Sequence, residues 1–153
     1  MASRQTANVA GHRSGEGRLR PGDLILLTAL LVSPGLALHR LSAFVDFRWL
    51  AAYGIVISLA TYAVYGADKD SAQDKTSKWR AAETLLHGLE LAGGWPGAFL
   101  AQRRLRHKCS KLSYQIVFWL IVSLHVYAAT DFQLNWRLAR AIGSLGLHGS
   151  GRP

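Results

Sequence analysis

Five cations and one imidazole lie within nine residues, Arg103-Arg104-Leu105-Arg106-His107-Lys108 and then Lys111, with no acid among them. Beside a membrane, such a run attracts anionic headgroups by about 1 kcal/mol per basic residue. Upstream lie Asp68-Lys69, then Trp79-Arg80, then Glu83. Together these residues suggest an anion site in which Lys69, Arg80, Arg106, His107, Lys108 and Lys111 engage a phosphate or lipid headgroup. Asp68 and Glu83 would orient the cations by pairing. A rival chemistry uses His107 as the acid/base, with Asp68 or Glu83 as its partner, in an enzyme acting on a lipid or lipid-linked phosphate. The plain account treats each residue separately: a solvated helix end at Asp68-Lys69, an interfacial anchor at Trp79-Arg80, and an acid suited to a first helical turn at Glu83.

Glu83, His87 and Glu90 recur at i, i+4 and i+7, which puts them within about 60° of arc on one helix. An acid–His–acid stripe suits a divalent metal or a proton relay, but three ligands on one helix leave a site incomplete, and His125 is the sole further ligand in view. The commoner fate of an intramembrane glutamate is a hydrogen bond to a neighbour. No metal and no cofactor are therefore expected. The chain has no Gly-rich phosphate loop, no nucleophile elbow and no Cys/His spacing of a zinc site. Its one cysteine, Cys109, rules out a disulfide framework.

The elements that must position these residues are hydrophobic. The chain has 153 residues, half of them apolar, and its 18 Lys plus Arg against 9 Asp plus Glu give a formal net charge of +9. That charge is confined to short blocks. Residues 49–67 and 112–130 carry no charged side chain apart from the titratable His125, and each makes a helix of roughly 28 Å, close to the hydrocarbon thickness of a bilayer. A third run, 24–39, is interrupted by Pro34-Gly35 and reads either as a kinked span or as a cleaved secretory signal ending near Ala37. A fourth, 84–102, contains Gly93-Gly94-Trp95-Pro96-Gly97, a string hostile to a straight helix. Its glycines and Pro96 read first as packing residues that permit close helix approach. The fold class is an all-α integral membrane bundle of three to four hydrophobic helices, the segment 84–102 being kinked or re-entrant.

Four spans would place eleven Lys and Arg on one side of the membrane and seven on the other. A re-entrant 84–102 would make it thirteen against five. The charge count leans toward the second arrangement, while four spans is the simpler one. Both put the N-terminal tail on the cytoplasmic side of a bacterial inner membrane. By domain, 1–22 is a basic, disordered tail, 23–130 the helical membrane domain, and 131–153 an interfacial helix carrying Trp136, Arg137, Leu138 and Arg140, followed by a flexible tail.

The motifs Tyr65-x-x-Asp68-Lys69, Trp79-Arg80-x-x-Glu83, Gly93-Gly94-Trp95-Pro96-Gly97-Ala98, Ala101-Gln102, Arg106-His107-Lys108-x-x-Lys111 and Phe118-Trp119 resemble, in that order, the domain of unknown function 1294 family. The resemblance runs from about Ala60 to His125. It implies a compact helical domain in the bacterial inner membrane, without an established activity. Some members carry a cold-shock nucleic-acid-binding domain, which does not precede the membrane part here. The expectation is a small multi-pass protein, non-enzymatic or regulatory, with a basic juxtamembrane site for an anionic group. Its partners would be the bilayer, anionic lipids above all, and another copy of itself. Nucleic-acid contact at the membrane is a further alternative, though the aromatics are not interleaved with the basic residues as a stacking surface would need.

Overall fold

The computed structural model describes residues 17–73, 82–105, 111–140 and 142. Five helices account for most of them: α1 (Pro21–Leu41), α2 (Phe47–Gln73), α3 (Glu83–Leu89), α4 (Trp95–Leu105) and α5 (Leu112–Gln133). A widened π-type turn, Glu90–Gly94, joins α3 to α4. No strand occurs among the described residues. Three stretches, Pro21–Leu41, Phe47–Ala72 and Leu112–Gln133, are long and apolar enough to cross a bilayer. Their large side chains, such as Ile25, Val32, Val56, Ile116, Leu120 and Leu124, point outward and stay exposed, as lipid-facing residues do.

Local sequence sets the helix ends. Pro21 opens α1, where its missing N–H costs nothing, and the Asp23 carboxylate accepts the Arg20 N–H at 3.1 Å. Pro34 does not end α1, which continues to Leu41. Beside it, polar groups of α5 fasten the two helices together: Ser33 Oγ lies 2.7 Å from Thr130 Oγ1, and Gln133 Nε2 donates to the Ser33 carbonyl at 3.0 Å. Arg40 then donates to the Phe132 and Gln133 carbonyls at the end of α5 and lies over the Phe132 ring. The expected interfacial helix begins only after a tight turn at Asn135 and Trp136, both at positive φ (54° and 60°). The buried Asp131 carboxylate holds that turn by accepting the Leu138 and Ala139 N–H groups.

The segment expected as a fourth span is a re-entrant hairpin. Glu83 at its start and Lys111 just beyond its end form an ion pair at 2.7 Å. On α2, Glu90 of the entering arm and Gln102 of the returning arm meet the same residue, Tyr65. Arg103, at the end of the returning arm, pairs with Asp23 in the first turn of α1 at 3.1 Å. In place of a fourth long helix, the segment 84–102 folds back as a hairpin beside three helices long and apolar enough to cross a bilayer. The physical reason is Gly93, whose φ of 103° lies outside the helical region and turns the chain back.

One face of the bundle thus collects the start of α1, the end of α2, both ends of the hairpin and the start of α5. The opposite face holds the 42–46 connection and the end of α5. In a Cys109→Ser background, cysteines placed at Asp70 and Arg104 are expected to react with an impermeant maleimide from the same side, and one at Phe44 from the other. Labelling of 70 and 104 from opposite sides would restore the fourth span.

Candidate functional site: a buried polar hub where the hairpin docks

The hairpin seats itself on α2 through small residues. A Cβ built on Gly94 would fall 2.0 Å from Thr61 Oγ1, and one on Gly97 would fall 1.9 Å from the Ser58 carbonyl oxygen. With Ala98 and Ala101 fully buried, the returning arm presents a stripe of minimal side chains to α2. Backbones can then approach closely and gain dispersion contacts, which is how helices associate where lipid removes the hydrophobic driving force. Gly94 and Gly97 make this close approach, whereas Gly93 serves the turn and Pro96 follows it in the first turn of α4.

Above this seat lies a polar cluster whose centre, Tyr65, Glu90 and Tyr114, is buried. Glu90 is fully buried. Its Oε1 accepts the Tyr65 hydroxyl and, at 2.9 Å, the Tyr114 hydroxyl, while its Oε2 lies 2.7 Å from His87 Nδ1. The two tyrosine hydroxyls also touch one another. Gln102 Nε2 donates to the Tyr65 hydroxyl at 3.2 Å, and Gln115 Nε2 donates to Gln102 Oε1 at 2.7 Å. The His87 ring stacks on Tyr114 with centroids 4.2 Å apart. Every buried side-chain polar atom among the described residues has a partner. An intramembrane acid is costly unless hydrogen-bonded, and here three donors converge on one carboxyl group. With Glu90 as a carboxylate, His87 Nδ1–H donates to it and leaves Nε2 as the ring's remaining polar atom.

The hub joins four elements: Tyr65 from α2, His87 and Glu90 from the entering arm, Gln102 from the returning arm, and Tyr114 and Gln115 from α5. The Glu83–His87–Glu90 stripe is divided by its partners. Glu83 turns to Lys111, accepted by both carboxylate oxygens at 2.7 and 2.9 Å, while His87 and Glu90 turn inward. His125 is far from them; it packs near Trp95 and its Nδ1 donates to the Ile121 carbonyl at 2.9 Å. No group of three or more His, Cys, Asp or Glu side chains able to hold a metal ion occurs among the described residues.

Known families identify the stretch that builds this arrangement. Residues 58–114 match the family described as proteins of unknown function, DUF1294. No curated protein and no solved structure matches the chain. The DUF1294 segment begins at Ser58, the residue against which Gly97 packs, and ends at Tyr114, the last tyrosine of the hub. It therefore encloses the hairpin and its seat, whereas α1 and nearly all of α5 lie outside it. Phe118-Trp119, part of the resemblance, falls beyond the match.

The residues of the anticipated anion site fare unevenly. Asp68 is buried near the end of α2, with Lys69 half-buried beside it, and Glu83 and Lys111 pair across the mouth of the hairpin. Arg80, Arg106, His107 and Lys108 lie outside the described residues. Arg103, from the same basic run, is committed to Asp23 and lies over the Phe99 ring at 4.8 Å. Sequence reasoning missed Tyr114 and Gln115 altogether. Their signal was weak, because a tyrosine and a glutamine in an apolar run read as ordinary members of a span.

Proposed function

We infer that this chain is a multi-pass protein of the bacterial inner membrane that holds an anionic group, a phosphate or phospholipid headgroup, at its basic face without catalysing a reaction. The observation that supports this reading is the Glu83–Lys111 ion pair. It closes the hairpin on itself, which favours a common face for Asp68, Lys69 and the basic run 103–111. On that reading Lys69, Arg80, Arg106, His107, Lys108 and Lys111 supply the positive charge, with Asp68 and Glu83 orienting part of it. Thirteen of the 18 Lys and Arg fall on the same side, which by the positive-inside tendency makes that side, with the N-terminal tail, cytoplasmic. A cluster of this size gives a headgroup attraction of several kcal/mol that salt weakens.

The test uses the full chain in phosphatidylcholine vesicles doped with nitroxide-labelled phosphatidylglycerol or, separately, nitroxide-labelled phosphatidylcholine. The immobilised fraction is expected to favour the anionic lipid at least threefold at low salt. Arg106→Ala with Lys108→Ala is expected to bring the ratio close to one. Equal immobilisation of both lipids by the unaltered protein, unchanged in the double variant, would end the proposal.

A further inference from the structure

Because the hairpin fills only half the membrane depth, the other half of the bundle is left hollow. A cavity of about 760 Å³ lies beneath the hairpin tip. Its ceiling is Gly93, Trp95 and Pro96, and its walls are the halves of α1, α2 and α5 that run on toward the face opposite the basic one. On α2 the lining stops at Leu59, where the hairpin contact begins. The cavity opens between α1 and α2, which are joined by a short connection yet hardly touch, α1 leaning on α5 instead. That opening faces the hydrocarbon of the bilayer.

We propose that this cavity seats a hydrocarbon chain of one phospholipid from the leaflet opposite the basic face. Three physical arguments select that occupant. Water needs two to four polar partners, yet the lining is almost wholly apolar. Two of its few polar groups are already engaged, the Tyr53 hydroxyl donating to the Ala92 carbonyl at 2.7 Å and His125 Nδ1 donating to the Ile121 carbonyl. A helix from a second copy is too wide. Spread over a half-bilayer of about 15 Å, the volume gives a cross-section of about 50 Å², against about 80–110 Å² for a helix with its side chains. Charge at the mouth fits a phospholipid. Arg48, exposed in the first turn of α2 just before the lining residue Leu50, makes no ion pair among the described residues and is placed for a phosphate.

The test is photo-crosslinking in vesicles of phosphatidylethanolamine and phosphatidylglycerol containing a phospholipid with a chain-borne diazirine, followed by peptide mapping. Crosslinks are expected on lining residues such as Leu38, Gly54 and Ala129 as well as on the outer face of α5 at Leu120. Gly54→Leu is expected to reduce the lining crosslinks at least fivefold and to leave those at Leu120 unchanged. No heavy atom lies within 4 Å of a Cβ at that position, so the variant fills space without displacing backbone. Should it fail to fold, Ala37→Leu fills the same cavity from α1 and is read in the same way. Arg48→Gln is expected to lower the lining crosslinks at least twofold with the phospholipid probe and not with a diacylglycerol probe. Lining crosslinks absent from the unaltered protein, undiminished in the filled variant, or replaced by crosslinks to a second copy would each overturn the proposal.

Discussion

Replacing Glu90 with alanine is expected to destabilise the detergent-solubilised protein by about 2–4 kcal/mol, whereas Glu90→Gln should cost less than about 1.5 kcal/mol. The difference follows from the donors that Glu90 serves. Alanine leaves the Tyr65 and Tyr114 hydroxyls and His87 without their common acceptor, and both tyrosines are buried where such a loss is costly. Glutamine keeps one oxygen for the two hydroxyls, and its amide can donate to His87 Nδ1 in the other tautomer. Tyr114→Phe should fall between them, because it removes one donor and leaves the carboxyl group two others. Reversible unfolding in a mixed-micelle titration would measure all three. Equal losses for alanine and glutamine would show that the carboxyl group acts through its charge, and the account of Glu90 as a shared acceptor would fail.

A comparable loss is expected at Gly97, for a steric reason. A methyl group there would sit 1.9 Å from the Ser58 carbonyl oxygen and 2.7 Å from its carbon. Both are backbone atoms of a membrane helix, so they cannot swing aside as a flexible side chain would. Gly97→Ala should therefore lift the hairpin off α2 and cost about 2–4 kcal/mol or prevent folding. Gly88 is the internal control. It lies within α3, nothing approaches its Cβ position within 4 Å, and alanine there should stabilise by about 0.5–1 kcal/mol. Thermal retention of monodispersity in detergent would rank the two variants. A Gly97→Ala protein as stable as Gly88→Ala would mean that the close approach does not hold the hairpin.

Both expectations concern one junction, which ties the DUF1294 segment into a single mechanical unit. The small-residue stripe fixes how near the hairpin lies to α2, and the hub fixes its height. A headgroup site at the hairpin mouth would rest on this junction, since Glu83 and Lys111 are brought together only when both arms are seated.

How much of this was legible in the residues varied with the range of the interaction. The uncharged runs 49–67 and 112–130 mark two of the spans, because hydrocarbon thickness sets a minimum apolar length that can be counted along the chain. Pro34 lies within α1. It loses one backbone hydrogen bond, which did not end the helix. Gly93 to Gly97 announced a break and a close contact, since glycine in a membrane segment has few other uses, but spanning and returning arms of that composition look alike. The 13-to-5 charge split pointed to the re-entrant form only weakly.

By itself, then, the sequence marked two of the long apolar helices, the place where the segment 84–102 must bend, and the resemblance of its central stretch to the DUF1294 family. Those properties depend on composition and spacing along one stretch of chain. Only the tertiary structure decided that the bend reverses the chain, that Glu90 accepts the hydroxyls of Tyr65 and Tyr114, and that a hollow remains beneath the hairpin. Each of these is a relation between residues more than twenty positions apart, fixed by which helix faces meet when backbones pack around glycine. Local periodicity carries no record of that choice.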